Sequence, residues 1–99
     1  MALLLSKNIT PILVQGTDIE LSSVYVRIIF TCNLDGTLTV NYKTYLNQDS
    51  YLEGKELSTN IVNLTYNFAI LPTESQSLET ALIYMQNEFT SLGYNTTII

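Results

Sequence analysis

The 99-residue chain contains no histidine, no tryptophan and a single cysteine, Cys32. The absence of histidine excludes a histidine general acid or base, and one cysteine without histidine cannot build a zinc site. A single cysteine also excludes an intramolecular disulfide. Because Cys32 ends an apolar run and has no histidine to activate it, we expect a small buried apolar side chain rather than a catalytic thiol.

Charge is also scarce, since charged residues make up 13% of the chain and the formal net charge is −5. Four scattered cations cannot neutralise a run of phosphates, which argues against a nucleic-acid partner. No apolar stretch approaches the ~20 residues of a membrane span, so we expect no membrane partner. The polar residues are mainly Thr, Asn and Ser, a composition that suits contact with other subunits. It is also typical of an ordinary, weakly charged secreted or viral β-domain.

A two-residue hydrophobic period predicts a β-hairpin in the first half of the chain. Residues 24–32 and 37–43 each alternate apolar and polar side chains, with one continuous apolar face. The intervening Asn33-Leu34-Asp35-Gly36 fits a type I turn in which Gly36 takes a positive φ. A one-residue slip would expose the whole apolar face, so we expect a firm register.

Three further segments complete the predicted sheet region. Residues 1–23 contain short, broken strands interrupted by turn formers. Residues 46–60 are predicted to be a loop, which in a domain this small is usually functional or ordered by a neighbour. Another strand is predicted at 62–70, with one apolar face formed by Val62, Leu64, Tyr66, Phe68 and Ile70.

The hydrophobic period then changes to 3.6 residues, which predicts a helix over 73–93 followed by a tail, 94–99. Thr73 and Gln76 have the capping-box spacing, and Gly93 suits the left-handed position after a helix. The expected buried stripe is Leu78, Ala81, Leu82, Met85, Phe89 and Leu92. The chain is therefore predicted to be one α+β domain, 1–99, in which an antiparallel sheet of three to five strands packs on one C-terminal α-helix.

The sequence predicts no catalytic, cofactor-binding or metal site, and we expect the protein not to be an enzyme. Paired carboxylates could act as acid and base or hold calcium, but Asp18, Glu20, Glu53 and Glu56 lie beside turn formers and are expected to be solvated. No glycine-rich phosphate loop is present. We therefore expect no cofactor and no small-molecule substrate.

Interface residues are the remaining candidates. Tyrosine buries a large area at low entropic cost, although it also favours strands for local reasons. Tyr42 and Tyr66 fall on the predicted core face, whereas three other tyrosines do not. Arg27 has two interpretations, an outward charge paired with a nearby Glu or an interface anchor. The predicted interface residues are Tyr25, Arg27, Tyr45, Tyr51, Leu52, Ile98 and Ile99.

Short segments between Ser22 and Gly93 resemble small virion proteins of tailed bacteriophages, found in tails, baseplates and necks. They are Ser23-Val24-Tyr25-Val26-Arg27-Ile28, Val40-Asn41-Tyr42, Tyr66-Asn67-Phe68 and Ala81-Leu82-Ile83-Tyr84-Met85. The chain departs from such proteins at its end, where Asn-Thr-Thr-Ile-Ile replaces an acidic or alanine-rich tail. The resemblance implies a non-enzymatic structural subunit, repeated around a symmetric particle.

Two functions follow as hypotheses. In the first, the chain is made in the host cytoplasm and resides in the virion, where it contacts other virion proteins and copies of itself through open sheet edges and neutral surfaces. In the second, it is a small acidic phage-encoded inhibitor or adaptor whose negative charge steers it to a basic host protein. The acidic residues are spread along the chain, which weakens the second hypothesis.

Overall fold

The computed structural model of the chain describes residues 2–61, 65–70 and 77–99. Within these ranges the chain is α+β, as predicted: a five-stranded antiparallel sheet with a C-terminal helix packed against it. In chain order the elements are β1 Leu3–Lys7, β2 Ile12–Leu13, β3 Glu20–Leu21, β4 Ser23–Cys32, β5 Thr37–Tyr45, α1 Gln48–Leu52, β6 Thr65–Ala69, α2 Leu78–Ser91 and β7 Tyr94–Ile98.

The predicted hairpin is confirmed as β4 and β5, which pair in antiparallel register with Ile28 opposite Tyr42. The Gly36 amide donates to the Asn33 carbonyl oxygen at 3.1 Å, and Gly36 has a φ of +86°. The turn therefore fixes which side chains of the two strands share a face. Cys32 is a correction, because it is exposed rather than buried. It is the last residue of β4, next to the exposed turn, where little of the fold lies over it.

The two ends of the chain join the main sheet, whose strand order is β6-β5-β4-β1-β7. The segment predicted as a tail is strand β7, and it pairs with β1 over its whole length. The Ala2 amide donates to the Ile99 carbonyl oxygen and the Ile99 amide to the Ala2 carbonyl oxygen, both at 2.9 Å. The tail prediction is therefore wrong. The pairing joins opposite ends of the chain, and local patterns do not report such contacts.

The predicted helix is confirmed as α2, but its bounds differ from the predicted range 73–93. It begins at Leu78, with Ser77 as N-cap, whose hydroxyl oxygen accepts from the Thr80 amide at 3.3 Å. The capping box expected at Thr73 and Gln76 lies outside the described residues. The buried side chains on the helix are Ala81, Leu82, Met85 and Phe89. Leu92 belongs to the turn after the last helical residue and is about half exposed, contrary to its expected place in the stripe.

Gly93 connects α2 to β7 in the left-handed conformation that the sequence predicts, with a φ of +96°. The amides of Ile9 and Thr10 both donate to its carbonyl oxygen, at 2.9 and 3.0 Å. The Thr10 hydroxyl donates to the Leu92 carbonyl oxygen at 2.7 Å, and a Cβ on Gly93 would collide with that hydroxyl. The end of the helix is thus fixed by the segment after β1, and only glycine fits there.

The segment predicted as a loop, 46–60, contains the short helix α1 and is ordered by the rest of its own chain. Asn47 caps α1, since its side-chain oxygen accepts from the Ser50 amide at 2.9 Å. The Asn60 side-chain oxygen accepts from the Leu13 amide at 2.9 Å, and the Leu57 amide donates to the Thr44 carbonyl oxygen at 2.9 Å. These bonds attach the segment to both β2 and β5.

The main core lies between the sheet and α2. Tyr42 is buried there, as predicted, with the Phe89 ring edge-on at a centroid distance of 5.2 Å. The strand predicted at 62–70 contributes three half-buried side chains that pack against this core, Tyr66, Phe68 and Ile70. Val62 and Leu64 of the same predicted strand lie outside the described residues. The fully buried side chains of the core include Leu3, Leu5, Val24, Val26, Leu38, Val40, Tyr42, Leu82, Met85 and Phe89.

Candidate functional site

The side of the main sheet that faces away from α2, called here the outer face, presents the alternate residues of every strand. On β5 and β6 these residues are mainly Thr and Asn. The Thr39 hydroxyl donates to the Asn67 side-chain oxygen at 2.7 Å, and the Thr65 hydroxyl donates to the Asn41 side-chain oxygen at 2.8 Å. The Asn33 amide group donates to the Thr39 hydroxyl at 2.9 Å. This network, the polar lattice, links neighbouring strands through side-chain hydrogen bonds.

The polar lattice ends at the hairpin turn, where one carboxylate belongs to it. Both the amide and the hydroxyl of Thr37 donate to the same Asp35 carboxylate oxygen, at 3.0 and 2.7 Å. These hydrogen bonds favour the ionised form and hold the pKa of Asp35 below its usual value. The bonds are local to the turn, so we assign Asp35 a structural role in it.

At the other end of the outer face, three tyrosines form a second, smaller core. Tyr25 and Tyr45 lie directly opposite each other on β4 and β5 and are only 6% and 8% exposed. Helix α1 places the Tyr51 ring over them, at centroid distances of 5.7 Å from Tyr25 and 5.2 Å from Tyr45. Ala2 completes this tyrosine cluster. The sequence correctly places Tyr25 and Tyr45 away from the main core, but they are buried within their own chain and are not displayed as contact residues.

Beside the tyrosine cluster, two cations face each other across the hairpin. Arg27 and Lys43 are paired in the β4–β5 register and both project onto the outer face. The Arg27 guanidinium carbon lies 4.5 Å from the centre of the Tyr51 ring, a cation–π geometry. A depression of about 180 Å³ opens here, lined by Arg27, Ile28, Ile29, Lys43, Tyr45 and Tyr51. We call it the cation pocket.

The remaining predicted interface residues are separated. Leu52 is next to Tyr51 in α1 and is 71% exposed, and Ile99 is 53% exposed beside Ala2. Ile98 is half-buried and packs on the main core, so its apolar side chain is accounted for within the chain. The structure therefore brings Tyr25, Arg27, Tyr45 and Tyr51 together and leaves Leu52 and Ile99 at the surface.

Three residues that line the cation pocket are not among the predicted interface residues: Ile28, Ile29 and Lys43. The hairpin turn could have identified Lys43, because a four-residue turn at 33–36 places Lys43 opposite Arg27 and Asn41 opposite Ile29. Ile29 breaks the polar pattern of the outer face and is 61% exposed. The alternation of side chains along β4 places Ile29 on the outer face, so the sequence pattern alone identifies it.

Two other depressions have a different character. One of about 110 Å³ lies between β5 and the segment after α1, near Thr44, Glu56 and Thr59. A wider one, about 440 Å³, lies between β6 and α2, near Phe68 and Tyr84. Among the described residues no group of three or more Cys, Asp or Glu side chains could hold a metal ion.

Comparison with known proteins adds no identity. No protein-family model, curated protein or solved structure matches the chain. Neither α1 nor α2, the helices of the described ranges, combines the length and apolarity of a membrane-crossing helix. The geometry of the outer face is therefore the basis for assigning a function.

Proposed function

We propose that the protein is a structural subunit of a tailed-phage virion, in its tail, baseplate or neck, and that it assembles through protein–protein contacts. The observation that carries this proposal is the outer face, over most of which no described element packs. A sheet normally buries one face and solvates the other with charged side chains. Here the charged residues on the described strands of the outer face are Arg27 and Lys43, and Leu4 and Ile29 are exposed on it.

Exposed apolar side chains extend this surface around the tyrosine cluster. Leu4 lies opposite Tyr25 in the β1–β4 register, and Leu46 follows Tyr45 at the end of β5. Together with Leu52 and Ile99 they place aliphatic groups on several sides of the cluster. Apolar groups grouped beside aromatic residues are typical of protein contact surfaces. They support assembly as the role of this surface.

The edge of the sheet at β7 offers a second contact. Because Ala2 and Ile99 exchange both backbone hydrogen bonds, the alternation of an antiparallel ladder turns the N–H and C=O groups of Tyr94, Thr96 and Ile98 away from β1. The Gln86 side chain donates to the Thr96 carbonyl oxygen at 3.4 Å and covers part of this edge. The strand carries no charged residue, so it lacks the lysines that discourage pairing with another chain.

The alternative role, an acidic inhibitor of a basic host protein, has less support. Glu20 is paired with Lys7 and Glu53 with Lys55, so part of the acidic charge is compensated within the chain. The pocket beside the tyrosine cluster is positive, which is opposite to what a basic partner requires. Phosphate mimicry needs clustered acidic groups, and the acidic residues are spread along the chain.

The test is mass spectrometry of purified particles of the phage that encodes the chain, together with sedimentation velocity of the purified protein. We expect the chain to co-purify with the particle at a fixed copy number relative to a known capsid protein. A host cytosolic protein is the negative control. A protein that is strictly monomeric and also missing from the particles would overturn the proposal.

A pair of variants tests whether the β7 edge takes part. Thr97→Lys adds a charge on the outer face beside this edge, whereas Thr31→Lys adds the same charge at the hairpin end of β4. Both positions are exposed, so both variants should fold. We expect only Thr97→Lys to reduce assembly. Equal assembly of the two variants would show that the β7 edge is not a contact.

A further inference from the structure

Strand β7 is an edge strand of the main sheet, and among the described residues no strand pairs with its far side. Its pairing with β1 turns the backbone N–H and C=O groups of Tyr94, Thr96 and Ile98 toward that side. Donors and acceptors therefore alternate along the β7 edge. The Gln86 side chain of α2 reaches the Thr96 carbonyl oxygen at 3.4 Å, which is a long hydrogen bond that a strand can displace.

The β7 edge is complementary to itself. If two antiparallel β7 strands are related by a two-fold axis at Thr96, this residue lies opposite its own copy, and Tyr94 lies opposite Ile98 of the second copy. These are the residues whose backbone groups point outward, so every such pair can exchange two hydrogen bonds. A shift of two residues would lose one of the pairs, and a shift of one would set outward groups opposite inward ones.

The side chains of β7 also match across this axis. On the outer face, Asn95 would lie opposite Thr97 of the second copy, and Asn–Thr hydrogen bonds already link β5 to β6 in the polar lattice. On the other face, Tyr94 would lie beside Ile98, an aromatic and β-branched pair of the kind that stabilises antiparallel strands. Because β7 has no charged residue, neither copy brings a like charge into the strand contact.

An exposed apolar side chain of α2 lies near the same edge. Residues three apart on a helix are neighbours, so Ile83 lies beside Gln86, the residue that contacts Thr96. Ile83 is 43% exposed. A two-fold axis perpendicular to the sheet would keep both α2 helices on one side of the joined sheet, so the helix of the second copy would offer Ile83 a surface to pack on.

We propose that the β7 edge binds the β7 edge of a second copy of this chain, antiparallel and with Thr96 at the two-fold axis, so that the two main sheets join into one. A second copy is favoured over an unrelated strand because one register satisfies the outward groups of both strands at once. The inference rests on the proposed assembly role and deepens it, because it names the partner and the register of the contact.

Cross-linking tests this register. In a Cys32→Ser background, which removes the exposed native thiol, Thr96→Cys sets two thiols opposite each other. Their Cα atoms would be about 5.5 Å apart, within disulfide range. Thr97→Cys is the control, because Thr97 would face Asn95 and is the more exposed of the two positions. With oxidised glutathione we expect covalent dimers of Thr96→Cys alone. Equal yields from both variants would indicate random collision and overturn the proposal.

Sedimentation velocity of the full chain measures the dimer itself. Gln86→Glu sets two like charges near the axis, and Asn87→Glu adds the same charge on the side of α2 that faces β6. We expect about tenfold weaker dimerisation for Gln86→Glu and wild-type dimerisation for Asn87→Glu. Salt should strengthen the wild-type dimer, since each copy carries a net charge of −5. Equal weakening in both variants would show a general charge effect and overturn the proposal.

Particle analysis separates this inference from the virion role. Disulfide-linked dimers of Thr96→Cys from a chain that is absent from phage particles would sustain the pairing and refute the virion role. A chain that is present in particles, but whose Thr96→Cys variant forms no disulfide between copies, would do the reverse. A cross-link from this variant to a different virion protein would show that the β7 edge binds that protein, and would overturn the second copy as its partner.

Discussion

The two faces of the main sheet are stabilised in different ways, although the same strands form both. On the face under α2, Leu, Val, Tyr and Phe side chains are buried against the helix, and exclusion of water stabilises them. On the outer face, neighbouring positions of the same strands carry Thr and Asn side chains that bond to each other across β5 and β6. The face under α2 is stabilised by packing against that helix, whereas the Thr and Asn side chains of the outer face largely hydrogen-bond to each other.

The outer face itself divides into two parts, and this division carries the functional proposal. The side chains of the polar lattice hydrogen-bond to each other across β5 and β6. The tyrosine cluster and the cation pocket, by contrast, combine buried rings, exposed aliphatic groups and two like charges. Local conflict of this kind is expected where a surface serves binding and not folding.

The largest effect should come from the face of the main sheet that lies under α2, called here the covered face. Phe89→Ala removes a fully buried ring that packs edge-on against Tyr42. We expect the free energy of unfolding to fall by about 4 kcal/mol, the usual cost of deleting a buried aromatic side chain. Urea denaturation followed by circular dichroism measures it. Asn87→Ala, on the exposed side of the same helix, is the control and should change stability by less than about 0.5 kcal/mol.

The tyrosine cluster is expected to behave as a real, smaller core. Tyr25→Ala empties a site covered by Tyr45, Tyr51 and Ala2, so we expect a loss of about 3 kcal/mol in unfolding free energy. Ile29→Ala lies on the same face of the same strand but is mostly exposed, so its cost should stay below about 1 kcal/mol. Similar small losses for both would show that the outer face has no core of its own.

An exchange of nearly isosteric residues at adjacent positions compares the two faces directly. Val40→Thr places a hydroxyl at a fully buried position of the main core and should cost about 2 kcal/mol. Thr39→Val removes a hydroxyl that accepts from Asn33 and donates to Asn67. Water can replace those bonds at this half-buried position, so the loss should be about 0.5 kcal/mol. Equal losses in the same denaturation assay would contradict the distinction between the faces.

The sequence predicts the elements whose contacts are local. The alternation in β4 and β5, the turn at 33–36 and the apolar stripe of α2 are all set by neighbours a few residues apart. The structure confirms them, except that Leu92 lies outside the stripe. From these elements the α+β arrangement follows, because a sheet with one apolar face and an amphipathic helix cover each other. The left-handed Gly93 is likewise a local signal and is confirmed.

What the sequence does not predict depends on contacts between distant segments. Strand β7 exists because residues 94–98 pair with β1 at the opposite end of the chain. Tyr25 and Tyr45 are buried because α1 folds back and places Tyr51 over them. The alternation shows that these tyrosines leave the main core, but it cannot show that a turn of helix covers them. The cation pocket needs both the hairpin register and α1, so only Arg27 and the tyrosines are candidates from the sequence.

The ionisation of Tyr42, on the covered face, should have the smallest effect on stability at neutral pH and a clear effect in alkaline solution. Burial, and then the neighbouring Tyr66 and Tyr94, raise the pKa of Tyr42 well above its usual value of about 10. Below pH ~10 the residue is protonated in both the folded and the unfolded chain, so it adds no pH dependence. Above that pH the unfolded chain releases the proton while the folded chain retains it, so stability falls as the pH rises.

Urea denaturation at a series of alkaline pH values measures this fall, and Tyr42→Phe should make it shallower because the group that ionises on unfolding is gone. Burial also raises the pKa of Tyr94, so adding Tyr94→Phe should flatten the curve further. Comparing slopes with pH, and not absolute stabilities, removes the cost of any hydrogen bond lost with a hydroxyl. An unchanged slope in the double variant would mean that water reaches these phenols in the folded chain and that α2 does not seal the covered face.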